Sequence, residues 1–190
     1  MGQITTGQDR HDVILDAAIH AFAVYGFRRV TMGDIARGAG LSRTALYLHF
    51  RSKEDIFRSL SVRHFRASTD DVERALQATG PACDVLQAAF VAKDGKFMDI
   101  VLGTPHGHEL LDAGIAISAD IAGSAEGRMA ECFGRWLAAH GAKERLGDPA
   151  MAGAMVMAAL KGLKTSARTL EDYRDSQTLL ARMVALSLGQ

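Results

Sequence analysis

The chain of 190 residues is long enough for one large domain, or for a small domain joined to a larger one. Hydrophobic residues make up 48% of it and charged residues 23%, an ordinary globular balance, and no apolar run is long enough to span a membrane. The polar start lacks the apolar segment of a signal peptide, and the two cysteines, Cys83 and Cys132, lack metal-binding spacing. We therefore expect a cytoplasmic protein in a reducing compartment, with no cofactor.

Charge is unevenly distributed along the chain, although the formal net charge at pH 7 is zero. Residues 1–66 hold 10 Lys and Arg against 6 Asp and Glu, a net charge of +4. Residues 67–190 hold 12 against 16, a net charge of −4. A basic module on an acidic body is typical of a protein that meets nucleic acid at only one end.

The first third of the chain predicts short helices joined by tight turns. Residues 12–25 carry apolar side chains at helical spacing, and Gly26 follows them. Thr31 and Asp34 have the spacing of a capping box, which predicts the start of a second helix that runs to about Ala39.

A turn at Gly40 separates this second helix from a third. Gly40 tolerates the positive φ that a tight turn needs, and Ser42 is placed to cap a helix from about Arg43 to Phe50. Small or apolar residues stand where the two helices would bury their inner faces: Ile35, Ala36, Ala39, Leu41, Leu46 and Phe50. The pattern predicts a helix-turn-helix.

A long helix should follow, opened by a second capping box at Ser52-Lys53-Glu54-Asp55 and reaching about Ala78. Gly80-Pro81 is the clearest break in the chain and marks a domain boundary. Beyond it, helices are predicted near 82–92, 95–102, 106–113, 117–140, 149–169 and 171–188.

No strand pattern is visible, so we expect an all-α fold of about nine helices. An N-terminal three-helix helix-turn-helix domain would occupy residues 1–58 and continue through a connecting helix to about residue 79. A C-terminal helical bundle would occupy residues 80–190.

The ordered run from Thr31 to Lys53, TMGDIARGAGLSRTALYLHFRSK, resembles the DNA-binding domain of the TetR family of bacterial transcriptional regulators. The resemblance covers residues from about 10 to about 58 and does not extend to the rest of the chain. It implies a recognition helix in a major groove, a homodimer with a four-helix interface, and a C-terminal cavity whose occupancy alters DNA affinity.

The third helix would turn Arg43, Thr44, Tyr47 and Leu48 outward. An aromatic residue and a leucine on such a face suit the thymine methyls and base edges of a major groove, and Arg43 suits bidentate pairing with guanine. The alternative is that these are ordinary caps and surface residues of a small helical domain. The predicted DNA-contacting residues are Thr31, Ser42, Arg43, Thr44, Tyr47, Leu48, His49 and Lys53.

The resemblance implies mainly backbone-phosphate roles for Thr31, Tyr47, His49 and Lys53. For Lys53 a physical argument points the same way. A cation in the first turn of a helix is disfavoured by the helix dipole, and a phosphate bound at that helix N-terminus would resolve the conflict.

The second half of the chain is rich in apolar, aromatic and methionine side chains, which suit an adaptable pocket for an apolar or amphipathic effector. A place in the ordinary hydrophobic core is the alternative for every one of them. The candidate lining residues are Phe90, Phe97, Met98, Leu102, His106, Leu111, Met129, Phe133, Trp136 and Met155.

The helix near 149–169 is rich in small residues, and the last helix is apolar over much of its surface. The resemblance implies that this pair packs against its copy in a second chain, whereas closure of the monomer core is nearly as consistent with the residues. The candidate interface residues are Ala154, Ala158, Leu179, Leu180, Met183 and Val184.

His106-Gly107-His108-Glu109 is a weak candidate for a metal site, because no further ligand stands at a suitable spacing. The chain also lacks the common nucleophile-elbow, phosphate-loop, dinucleotide and zinc-protease motifs. We therefore expect no enzyme and no metal.

Our hypothesis is a cytoplasmic, homodimeric transcriptional regulator, a repressor that binds a palindromic double-stranded DNA operator and is released by a small molecule. Two alternatives stay open. One is a metal-dependent sensor or enzyme that uses His106 and His108, and the other is a constitutive DNA-binding protein without a ligand.

Overall fold

A computed structural model describes the backbone of residues 7–189 and the side chains of residues 10–189. Over that range the chain forms ten helices and no strand, which confirms the all-α fold. None of these helices combines the length and the apolar character that a membrane span requires. The helices are α1 (Gly7–Tyr25), α2 (Met32–Gly38), α3 (Arg43–Tyr47), α4 (Lys53–Leu76), α5 (Ala82–Asp94), α6 (Phe97–Gly103), α7 (Gly107–Ala139), α8 (Ala142–Arg145), α9 (Pro149–Ser166) and α10 (Leu170–Ser187).

The helices group into two compact units. The first unit comprises the described residues up to Arg63 together with Asp99–Ala119, and the second comprises His64–Met98 and the described residues from Asp120 onward. The first unit thus takes in a segment that the sequence assigns to the C-terminal bundle. The functional division at residues 58 and 80 stays a prediction.

The first unit is built on the small core of α1, α2 and α3. Ile14, Phe22, Ile35 and Leu46 are fully buried there. Gly40 has a φ of +67° between α2 and α3, as the turn requires. The predicted helix-turn-helix is therefore present in the folded chain.

The third helix is shorter than the sequence predicts. It ends at Tyr47 rather than Phe50, because the following backbone tightens into turns with three-residue hydrogen bonds. The amide of Leu48 donates to the carbonyl of Ala45 at 3.3 Å, and that of His49 donates to Leu46 at 3.0 Å. Phe50 is still buried, so the turn keeps the predicted inward side chain.

Two helices predicted near 106–113 and 117–140 form a single kinked helix, α7. Ser118 has φ −133° and ψ 21°, which breaks the helical geometry inside the element. Arg58 from α4 donates to the carbonyl of Ile117 at 2.6 Å, immediately before the kink. A side chain from another helix therefore stabilises the bend.

The core of the second unit is formed by helices α4, α5, α7, α9 and α10, with Leu86, Phe90, Phe133 and Leu160 among its fully buried residues. The buried side chain of Gln177 on α10 donates to the carbonyl of Phe90 on α5 at 2.8 Å. This bond satisfies polar groups that are shielded from water.

Helices α7 and α9 cross at two glycines, Gly134 and Gly153. A Cβ on Gly153 would lie 2.3 Å from the carbonyl oxygen of Ala130 and 2.6 Å from the amide nitrogen of Gly134. On the side of α9 that carries Gly153, the small residues therefore allow close packing within one chain. The opposite side of α9 is free to have a different role.

Replacing Gly153 with alanine should lower the free energy of unfolding by about 1–3 kcal/mol, because the added methyl overlaps the backbone of α7. Gly162→Ala on the same helix is the matched control, since a Cβ there meets no described atom within 4 Å. That control should be neutral or stabilising by up to about 1 kcal/mol. Urea unfolding of both variants measures the difference, and equal stability of the two would contradict the close crossing.

Candidate nucleic-acid interface

The N-terminus of α2 carries the predicted capping box. The amide of Asp34 donates a hydrogen bond to the Thr31 hydroxyl at 3.3 Å. The Asp34 carboxylate accepts hydrogen bonds from the amide and the hydroxyl of Thr31 at 3.0 and 2.7 Å. These hydrogen bonds from Thr31 hold the pKa of Asp34 below its usual value. The Thr31 hydroxyl is thus fixed in the cap, and its predicted phosphate contact stays a prediction.

Helix α3 presents the predicted outward face. The Ser42 hydroxyl caps the helix by accepting from the amide of Ala45 at 3.0 Å. Arg43, Thr44, Tyr47 and Leu48 are all exposed, and Leu48 is 83% exposed. His49 is exposed as well.

Arg43 and Tyr47 lie together on this face. The guanidinium of Arg43 donates to the Tyr47 hydroxyl at 3.4 Å and lies 5.6 Å from the centre of the ring. A guanidinium has five N–H donors, so most of them stay available to a base edge or a phosphate. The contact holds a long, flexible cation over the centre of α3.

The ammonium group of Lys53 is hydrogen-bonded to carbonyls of the protein itself. Its Nζ donates to the carbonyls of Phe27, Arg28 and Val30 at 2.8, 3.1 and 3.1 Å. It also lies 4.8 Å from the centre of the Phe27 ring. Three acceptors match the three N–H groups of an ammonium, so the loop between α1 and α2 is tied to the start of α4.

The helix dipole disfavours the positive charge of Lys53 at the start of α4, and the sequence suggests that a bound phosphate offsets it. In the structure these three carbonyls compensate the charge. The rest of the helix start is capped by protein groups. Ser52 accepts from the amide of Asp55 at 3.2 Å, and the Asp55 carboxylate accepts from the amide of Arg51 at 3.1 Å. The second capping box is therefore shifted, because its return bond reaches Arg51 instead of Ser52.

The start of α7 packs against the end of α1 within the first unit. His106 Nδ1 lies 2.8 Å from Glu109 Oε1, and this hydrogen bond holds the pKa of Glu109 below its usual value. A Cβ on Gly26 would lie 2.7 Å from the same carboxylate, which would have to move, and the φ of +85° favours glycine there. His108 is exposed. Among residues 10–189, no three His, Cys, Asp or Glu side chains are grouped as metal ligands.

The predicted pocket residues lie in several parts of the described chain, and their role as a pocket stays a prediction. Phe90 and Phe133 touch, with ring centres 5.5 Å apart, and lie in the core of the second unit. Met98 and Met129 are buried too. Trp136 lines a shallow surface depression of about 220 Å³ with Cys132 and Arg135, while Met155 lines a different groove. Leu102, His106 and Leu111 belong to the first unit.

The predicted interface residues share one exposed apolar surface on α9 and α10. Ala154, Ala158, Leu179 and Met183 are exposed, and Leu180 and Val184 are half-buried. An open groove of about 360 Å³ runs along the same surface. We call this surface the α9–α10 face; its further exposed members are Met151, Met155 and Leu186.

The sequence reasoning missed a buried ionic cluster in the second unit, formed by Lys93, Asp94, Lys164 and Tyr173. Both lysines contact Asp94 Oδ1, at 3.2 and 3.0 Å, and the Tyr173 hydroxyl donates to Asp94 Oδ2. One signal was available. Lys93 continues the spacing of the buried face of α5, which includes Ala82, Val85, Leu86, Ala89 and Phe90.

Comparison with known proteins identifies relatives of the N-terminal part. Residues 14–60 match the family model described as bacterial regulatory proteins, tetR family. The transcriptional activator FasR of Mycolicibacterium smegmatis is 31% identical over 103 residues, covering 54% of this chain and 45% of that protein. The regulator AcrR of Shigella flexneri is 38% identical over 53 residues, covering 28% of this chain and 25% of that protein. The chain thus spans about half or less of the length of these relatives.

Solved structures resemble nearly the whole chain. The fatty acid degradation regulator FadR from Bacillus halodurans superposes with a TM-score of 0.64 at 20% identity, covering 94% of each chain. The reduced form of NemR from E. coli gives a TM-score of 0.68 at 16% identity, covering 90% of this chain and 95% of that one. At this level of identity the likeness establishes the fold alone.

Replacing Lys53 with methionine should lower the free energy of unfolding by about 2 kcal/mol or more, because hydrogen bonds from a charged donor to three carbonyls are lost. Arg51→Gln, which removes an exposed charge two residues away, should leave stability unchanged. Urea unfolding measures both variants. If Lys53→Met keeps its stability and instead lowers the salt dependence of DNA binding by about one charge, Lys53 is a phosphate contact and not a tie.

Proposed function

Because the chain belongs to the TetR family of bacterial regulatory proteins, we propose that it is a cytoplasmic transcriptional regulator that binds a palindromic operator on double-stranded DNA as a homodimer. A small apolar or amphipathic molecule would release it from the operator. The relatives named above are regulators of transcription, which agrees with the expectation that the chain is not an enzyme.

The exposed face of α3 is the observation that carries the proposal. Leu48 and Tyr47 expose apolar surface to solvent beside the cation of Arg43, at a helix that is firmly capped by Ser42. Such a surface lacks a reason in an isolated small domain, but it matches the thymine methyls and guanine edges of a major groove. The basic character of residues 1–66 supplies the attraction to phosphate.

The α9–α10 face supports a dimer. Met155 and Met183 are 64% and 59% exposed, and contiguous apolar surface of this kind marks an interaction site. A second copy of the chain is the partner we propose, because a five-residue recognition helix reads too few bases alone. A two-fold dimer doubles the site at a spacing of about one helical turn of DNA or its multiples.

Release from the operator would follow if the effector binds two conformations of the protein with different affinity. An effector that binds one conformation of the second unit more tightly shifts the population, and DNA half-sites of fixed spacing tolerate only one separation of the two α3 helices. We propose repression as the direction of regulation. FasR is a transcriptional activator, so that direction is tested on the regulated promoter and not by the binding experiments below.

Selection of bound fragments from random and genomic DNA tests the proposal directly. We expect an inverted repeat, and Arg43→Ala should lose about 1–3 kcal/mol of binding free energy at one base position of each half-site and relax the preference there. Arg74→Ala, an exposed arginine of the second unit, is the matched control and should bind as the parent does. Selection of no consensus, or an Arg43→Ala variant with unchanged preference, would contradict the role of α3.

Met183→Asp should convert a dimer to a monomer, because it places a charge in the apolar α9–α10 face. Ile115→Asp is the control, since Ile115 is 72% exposed but belongs to the first unit. Light scattering coupled to gel filtration measures the mass of each variant, and DNA titration measures its operator affinity. A Met183→Asp protein that stays dimeric would place the interface elsewhere.

A further inference from the structure

The buried cluster around Asp94 joins several helices of the second unit. Lys93 and Asp94 end α5, Lys164 lies on α9 and Tyr173 on α10. The side chains of Lys93 and Asp94 are 5% and 2% exposed, and that of Lys164 is 16% exposed. Two ammonium groups thus converge on one carboxylate away from bulk water.

The charges of this cluster do not balance. Burial would raise the pKa of Asp94, but Lys93, Lys164 and the Tyr173 hydroxyl more than offset it, so the carboxylate stays ionised. Burial and the neighbouring carboxylate raise the pKa of Tyr173, which keeps its proton. Burial, reinforced by Lys164, lowers the pKa of His64 to about 4, so the imidazole is neutral at pH 7. Burial lowers the pKa of Lys164, and the Asp94 carboxylate opposes that shift; Glu126 also attracts Lys164, but its carboxylate is paired with Lys161 at 3.3 Å. The two ammonium groups at Asp94 therefore exceed its negative charge by one.

The hydrogen bonds of the two ammonium groups converge on one acceptor. Within residues 10–189, both ammonium groups find the same carboxylate oxygen, Asp94 Oδ1, as their hydrogen-bond acceptor. Each ammonium has three N–H donors and both share this one oxygen, so a further anion could accept hydrogen bonds from both groups. An excess charge in a buried cluster costs free energy, and one further anion would reduce that cost.

Aromatic rings lie beside the ammonium group of Lys164. Lys164 Nζ lies 4.9 Å from the centre of the Phe97 ring, and the Phe97 and His64 rings are 5.1 Å apart. The His64 ring also contacts Phe65 at 5.0 Å. A charged end and an aromatic wall together fit an amphipathic molecule, and the partial exposure of Lys164 leaves this end of the cluster open to solvent.

We propose that this cluster binds the acidic group of the effector, and that the effector is an amphipathic carboxylate. Its carboxylate would accept hydrogen bonds from Lys93 and Lys164, and its apolar body would pack along Phe97 and His64. A monoanion matches the single uncompensated positive charge, whereas a phosphate dianion would overcompensate it. This inference rests on the proposed function, because it names the chemical class of the molecule that acts on DNA binding.

The test uses the full chain and two matched pairs of probes: octanoate with octanamide, and 4-phenylbutyrate with 4-phenylbutanamide. Titration calorimetry should show that at least one acid binds about tenfold or more tightly than its amide, the difference expected for charged hydrogen bonds. The same acid should raise the thermal unfolding midpoint, and its amide should not. Failure of both acids to bind, or equal binding of acid and amide, would overturn the proposal.

Two lysine variants on α9 locate the site. Lys164→Met should weaken acid binding about tenfold or more and leave amide binding unchanged. This variant leaves Lys93 and Asp94 as a balanced pair, so it should fold. Lys161→Met is the control, because that lysine is exposed and pairs with Glu126. Unchanged acid binding by Lys164→Met would overturn the site, and the acid–amide comparison on the parent chain remains decisive if that variant is unstable.

The operator found by selection separates this inference from the proposed function. Saturating acid should lower operator affinity of the parent chain about tenfold or more, within the usual range of allosteric coupling. Acid binding that leaves operator affinity unchanged would overturn the effector role while preserving the anion site. Absence of any selected operator would overturn the proposed function, and the calorimetric comparison would still report on the anion site.

Discussion

The hydrogen bonds between Lys53 and the loop after α1 are the constraint on which the helix-turn-helix depends. Three carbonyls of that loop accept from one ammonium group, and the loop leads directly into the Thr31 cap of α2. The position of α2 in turn fixes α3 through the Gly40 turn and the shared apolar core. The ammonium group at the start of α4 therefore helps to position α3, through the loop after α1 and through α2.

Helix α9 has two different faces, one that packs closely on α7 and one that is exposed and apolar. Gly153 allows its backbone to approach α7 more closely than any residue with a Cβ would permit. The opposite face keeps Met151 and Met155 in solvent beside the exposed methionine and leucines of α10. Small residues explain the first face, whereas the second is the exposed apolar surface on which we propose that a second copy packs.

The second unit combines a tightly packed core with a polar centre that is poorly balanced. Phe90 and Phe133 fill the core, yet Lys93 and Lys164 bring two positive charges to Asp94 close by. An apolar replacement for such a cluster is often at least as stable, so its presence favours a binding role over a purely structural one. The exposed α3 and this buried cluster are the two sites that we propose for two different ligands.

The sequence by itself determined the local elements: the Thr31 capping box, the Gly40 turn, the Ser42 cap and the helical class of the fold. Caps and turns are contacts between residues a few positions apart, so their spacing is visible in the chain. Only the tertiary structure decided which carbonyls receive Lys53, that α7 is one kinked helix joined to Arg58, and that Lys93 meets Lys164. Helical periodicity shows which side of a helix is buried, but it does not name the distant residue that covers it. Periodicity alone does not identify pocket residues for that reason, since a buried Phe90 or Met129 has the same pattern whether it lines a cavity or fills the core.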